Sequence, residues 1–113
     1  ASIISHIPHI TAAALVNLLD KNPNDLESCI TLAGGGFKDT TRIASSNADM
    51  WADICISNSE PIIEHLSQLQ SLLSGVITKK KKKDRQAIHD YFVESKTRRD
   101  MILEETKDKY DLI

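Results

Sequence analysis

Between Ile62 and Val76 the apolar residues step by four and three, as Ile62, Leu66, Leu69, Leu73 and Val76. Only an α-helix gathers that spacing into one stripe; a strand would scatter the same residues over both faces. Ile63, Leu72 and Ile77 broaden the stripe, so this helix needs more than one neighbour. Ser59-Glu60-Pro61 opens it, with Pro61 in the first turn, where an amide has no partner to lose. Gly75 lies near its end. Aromatic residues make up 4% of the chain and apolar residues 41%, so the core must come from Leu, Ile, Val and Ala. The 4 glycines and 3 prolines leave little punctuation for anything but helices. The expected fold is all-α, a bundle of five to six helices forming one domain over residues 1–113.

The other helices follow from local signals. Ile3, Ile4, Ile7, Ile10, Ala14 and Leu18 fall close to one helical stripe, widened by Ala13 and Val16. Pro8 is tolerated if Ser5 is the N-cap, and the helix should end around Asp20, before Asn22-Pro23-Asn24. A second, short helix is expected after Asn24 or Asp25, with Glu27 as the far half of a capping box. It would turn Leu26, Cys29 and Ile30 inward and stop at Gly34. A third segment runs from Phe37 to about Ala44. Ser45-Ser46-Asn47 breaks it, and Ser46 or Asn47 caps a helix that holds Met50, Trp51, Ile54 and Cys55 and gives out near Asn58. The last helix should span about Asp84 to Glu105, with Ile88, Phe92 and Ser95 on one face and a fraying tail after Thr106.

Charge and composition narrow the function classes. The net charge of −2 leaves no general nucleic-acid footprint. Residues 1–78 carry three cations against eight acids, and residues 79–113 carry eleven against eight. The run Lys79–Lys83 has no interleaved aromatics and is followed by acids, which fits a solvated turn between antiparallel helices better than a nucleic-acid patch. No apolar run approaches the roughly 20 residues of a membrane span. Ala1–Ile7 has no basic flank for a signal peptide, and the first residue is not methionine, as in a fragment. Cys29 and Cys55 have no metal or redox spacing and are expected as free buried thiols of a cytoplasmic protein.

Two stretches invite chemistry. Gly34-Gly35-Gly36 is entropically costly to order, so it should serve positive φ or close backbone approach. Lys38 and Arg42 follow it, and a guanidinium fork suits a carboxylate. Asp39, one turn before Arg42, could hold that guanidinium or cap its own turn. His6 and His9 are three apart and share a helix face; zinc would need a third ligand that nothing here supplies.

The words of these stretches carry more. Gly34-Gly35-Gly36-Phe37-Lys38-Asp39-Thr40-Thr41-Arg42-Ile43-Ala44, then Met50-Trp51-Ala52-Asp53-Ile54, resembles the substrate-domain motif of prephenate dehydrogenases. Ser5-His6-Ile7-Pro8-His9 resembles that family's Ser-His-x-Pro-His helix opening. They stand in the expected order, one helix apart, and the resemblance covers the helical half of such an enzyme. It implies a fold similar to the C-terminal dimerisation domain of 6-phosphogluconate-dehydrogenase-like enzymes, acting as a homodimer. It also implies that His9 holds the carboxyl-bearing side of the substrate and Arg42 a substrate carboxylate. Ser5 and His6 would support them, Gly35 and Gly36 would allow close backbone approach, and Trp51 would lie at the site near the partner subunit, beside Met50.

The reaction the resemblance implies is oxidative decarboxylation of prephenate to 4-hydroxyphenylpyruvate, a step of tyrosine synthesis. It needs NAD or NADP on a Gly-x-Gly-x-x-Gly unit after a strand, and the family's base histidine belongs to that dinucleotide half. Neither is expected in this chain, which by itself should bind no cofactor and not catalyse. The expected partners are therefore prephenate or a related small dicarboxylate, a second copy, and the protein's own Rossmann domain, without nucleic acid or membrane. Three alternatives stand beside this one: an arogenate dehydrogenase domain, a non-catalytic helical module using the seam of residues 62–77, and a nucleic-acid binder using Lys79–Lys83.

Overall fold

A computed structural model describes residues 1–24 and 35–110. Among them are five α-helices and no strand: α1 (Ile7–Asp20), α2 (Gly35–Thr41), α3 (Ala48–Ser57), α4 (Ser59–Lys81) and α5 (Arg85–Tyr110). A π-helical turn, Ser2–His6, precedes α1, and a 3-10 turn, Arg42–Ala44, follows α2. The all-α expectation holds. The helix expected after Asn24, with Leu26, Glu27, Cys29 and Ile30, lies outside the described residues, as does Gly34. The chain divides into two compact units, Ala1–Leu69 and Gln70–Ile113.

In the first unit, α1 packs against the 3-10 turn and α2. Its start differs from expectation. Ser5 caps nothing with its side chain; its amide is already inside a helical turn and donates to Ala1 O at 2.9 Å, as does His6 N at 3.2 Å. Pro8 explains the wide turn. Its nitrogen cannot donate and its ring crowds the carbonyl four residues back, so the preceding turn opens to the i→i+5 pattern and the α-helix proper begins at Ile7. Ala12 is the buried apolar residue of α1, whereas Ile3, Ile4 and Leu18 are exposed. At position 12 a methyl group lets the neighbouring backbone come close.

The π turn and α1 together make a 19-residue helical stretch, Ser2–Asp20, of mean hydropathy 1.4, long and apolar enough to cross a membrane by length and composition. It is not an uninterrupted apolar run; its isoleucines, leucines and alanines outweigh the Ser, Thr, His and Asn among them. The same description fits the central helix of a bundle. Here Ser2 and His6 hydrogen-bond side chains far along the chain, His65 (2.8 Å) and Asn58 (3.0 Å).

Gly35 and Gly36 belong to the first turn of α2 rather than to a loop before it, and no described glycine has positive φ. Thr41 closes α2 by donating its hydroxyl to Phe37 O at 2.6 Å. Asn47 caps α3, its Oδ1 accepting from Met50 N at 2.9 Å, and Asn58 ends that helix, both as the local signals indicate. Ile62 of the apolar seam is buried at 4% exposure.

In the second unit the seam comes out differently: Leu72, Leu73 and Ile77 on α4 are exposed. Most of the lysine run continues α4, and the turn itself is short. Lys83, with φ 52°, ends the helix while Lys83 N bonds Lys80 O and Asp84 N bonds Lys79 O, the paired bonds of a left-handed helix stop. Asp84 then caps α5 by accepting from Ala87 N at 3.0 Å. Lys79 Nζ lies 5.2 Å from the Tyr91 ring centroid, joining the two helices of this hairpin. The helix α5 runs on to Tyr110, past the expected fraying at Thr106, since neither glycine nor proline interrupts it.

Candidate functional site

Three elements of the first unit meet around a cavity of about 240 Å³: α1 through His9, Ile10 and Ala13, the 3-10 turn through Ile43 and Ala44, and α3 through Trp51 and Cys55, with Ser46, Asn47 and Ala48 closing the rim. The lining is mostly apolar with a few polar groups, the composition of a small-molecule pocket. Local rules place each wall. Pro8 fixes where α1 starts and so where His9 projects. The Asn47 cap sets the first turn of α3 and with it Trp51.

The indole of Trp51 stacks on the His9 imidazole, with centroids 3.7 Å apart and planes at 22°. His6 meets the same indole edge-on, at 5.8 Å and 78°. Hydrogen-bond chemistry separates the two histidines. His9 Nδ1 lies 3.0 Å from Ser5 O, and a carbonyl only accepts, so Nδ1 carries the proton and Nε2 has no partner among the described residues. His6 Nδ1 lies 3.0 Å from Asn58 Nδ2, an amide nitrogen that only donates, so His6 Nδ1 is the acceptor of that bond. Of the pair, His9 is suited to meet an anion, and His6 to tie α1 to the end of α3.

The remaining candidates sit elsewhere. Ser5 acts through its carbonyl, not its hydroxyl. Arg42 is exposed at the start of the 3-10 turn and does not line the cavity, although Ile43 and Ala44 beside it do. Arg42 and Asp39 make no ion pair; among the described residues the one such contact is the exposed His89–Asp90 neighbour pair at 3.3 Å. Gly35 and Gly36 are exposed on α2, outside the lining. Met50 is half exposed. Cys55 is a free, half-buried thiol in the cavity wall, and Cys29 lies outside the described residues.

Sequence reasoning missed Asn58 and His65. Asn58 was read only as a helix end and His65 was not singled out, and nothing local announces a partner more than fifty residues away. No group of three or more His, Cys, Asp or Glu among the described residues could hold a metal ion.

Comparison with known proteins identifies the family. Residues 1–94 match the family model described as "Prephenate dehydrogenase, dimerization domain". The chain is 36% identical over 99 residues to a prephenate dehydrogenase of Bacillus subtilis, covering 88% of this chain and 27% of that protein. It is 38% identical over 93 residues to a prephenate dehydrogenase of Lactococcus lactis, covering 82% and 26%. To a cyclohexadienyl dehydrogenase of Zymomonas mobilis it is 26% identical over 103 residues, covering 87% and 34%. The chain thus spans about a quarter to a third of the length of these relatives.

Proposed function

This chain belongs to the prephenate dehydrogenase family through its dimerization domain, and on that premise we propose that it is the substrate-binding and dimerising part of a cytoplasmic NAD- or NADP-dependent prephenate dehydrogenase. The whole protein would convert prephenate to 4-hydroxyphenylpyruvate by oxidative decarboxylation, in tyrosine synthesis. The observation that carries the reading is the meeting of His9 and Trp51, one from each motif, on one small cavity.

The chemistry fits a twice-negative ligand with an apolar ring. The apolar walls from Ile10, Ala13 and Ile43 suit the ring, and His9 Nε2 suits an oxygen at its edge. Arg42, exposed and without an ion pair among the described residues, is available to a carboxylate lying outside the walls. A charge-assisted bond of this kind is worth about 1.5–3 kcal/mol. The sequence contains no Gly-x-Gly-x-x-Gly, and the protein's own Rossmann domain would hold the cofactor. The contribution of these residues is to bind and orient substrate.

Exposed apolar side chains support the homodimer. In the second unit Leu72, Leu73 and Ile77 on α4 and Phe92, Val93, Met101, Ile102 and Leu103 on α5 are each 47% or more exposed. None of the residues from Arg85 to Thr106 is buried. A helix of this kind gains its stability from a partner surface. The free Cys55 thiol supports the cytoplasmic assignment.

The test is to assay the full-length protein for nicotinamide reduction that depends on prephenate, with arogenate alongside, and to repeat it with Arg42→Ala and His9→Ala. Loss of prephenate affinity in both variants, with dimers intact by sedimentation, is the expected result. Wild-type protein that turns over neither substrate, or variants with unchanged KM, would overturn the assignment.

A further inference from the structure

We propose that Trp51 is a positioning residue that acts on the substrate through His9, forming with the Ser5 carbonyl a two-sided clamp on the imidazole; this rests on the substrate-binding role given above to His9. A histidine side chain has two soft torsions, and turning the ring about the second exchanges the nitrogen that faces a ligand. Both motions are blocked here. The indole lies flat on the imidazole at 3.7 Å and 22°, which fixes the ring plane. The bond from Nδ1 to Ser5 O at 3.0 Å fixes which edge turns back along α1. Nε2 is then the single ring nitrogen able to meet a ligand, held in one direction before anything binds.

The clamp is itself braced. Trp51 sits in the first turn of α3, whose position is set by the Asn47 cap at Met50 N. Its second neighbour, His6, is tied to Asn58 at the far end of the same helix. The wide turn before Pro8 brings Ser5 O within reach of His9 while leaving both imidazoles on the indole. Preorganisation of this sort lowers the cost of binding without adding a contact to the substrate.

The experiment is a double-mutant cycle in the full-length enzyme, reading KM and kcat for prephenate in Trp51→Leu, Trp51→Phe, His9→Ala and the Trp51→Leu/His9→Ala pair. Trp51→Leu should raise KM about fivefold with kcat changed little, the size expected for losing a ring stack. Trp51→Phe should restore most of it. In the His9→Ala background Trp51→Leu should add almost nothing, because its effect passes through the missing ring. Additive effects, or a phenylalanine variant as impaired as leucine, overturn the proposal. Should the leucine variant fail to fold, substrate-free wild-type protein still decides the matter by NMR: the His9 ring protons must be shifted upfield by the indole, and ordinary histidine shifts would overturn the clamp. The two readings fail separately. Shifted His9 protons without prephenate turnover refute the functional assignment, and unshifted protons with normal turnover refute the clamp.

Discussion

Replacing Gly36 by alanine sets two explanations of the glycine triplet against each other. Gly36 is the second residue of α2, its φ is not positive, and a Cβ built there meets nothing within 4 Å. Among the described residues, then, nothing requires glycine. Alanine would restrict the unfolded chain and favour the helix, a gain of about 0.5–1 kcal/mol. For a domain of this size that is a rise in Tm of roughly 2–8 °C. The family reading assigns the glycine to close approach by a ligand, which predicts the opposite sign for binding: a higher KM for prephenate in the full-length enzyme. Circular dichroism melts at one fixed protein concentration give the first quantity, since a dimer's Tm depends on concentration. Steady-state kinetics give the second. A fall in Tm would refute the reasoning about open space over α2, and unchanged KM would remove the close-approach role. Gly35→Ala offers an internal check, because its Cβ would sit 3.7 Å from Asp39 Oδ2, an ordinary contact, and the gain should be similar or somewhat smaller.

Other outcomes follow from the same structure. Ile62→Ala removes the most buried large side chain of α4 and should cost about 2–5 kcal/mol in a urea titration. Lys83→Gly relieves a left-handed backbone at φ 52° and should stabilise by up to about 1 kcal/mol in the same assay. Leu73→Glu with Phe92→Glu, both on exposed positions, should convert dimer to monomer in sedimentation velocity while leaving the helical circular dichroism of the first unit in place. Arg42→Ala should raise KM for prephenate about tenfold or more, with little change in Tm, since the side chain is exposed and makes no ion pair among the described residues.

What could be read in the residues alone were the features governed by neighbours within about four positions. The all-α class, the Asn47 and Asn58 ends of α3, the opening of α4 at Ser59-Glu60-Pro61 and the single helix after Asp84 all rest on capping and periodicity. The family was legible too, because two short motifs in order are specific. Three things were decided by tertiary structure. Packing chose Ala12 as the buried apolar residue of α1, where larger residues were expected to face inward. The glycines joined a helix, because the chain around them gave φ no reason to turn positive. The histidines acquired distinct hydrogen-bond roles from Ser5 O on one side and Asn58, 52 residues away, on the other. Local rules fix where a helix starts and stops, while the partner of a side chain depends on how helices lie together. That arrangement is set by burial summed over the whole chain. The motifs therefore announced which residues matter, and packing alone determined that His9 meets Trp51 in the cavity while Arg42 stands outside it.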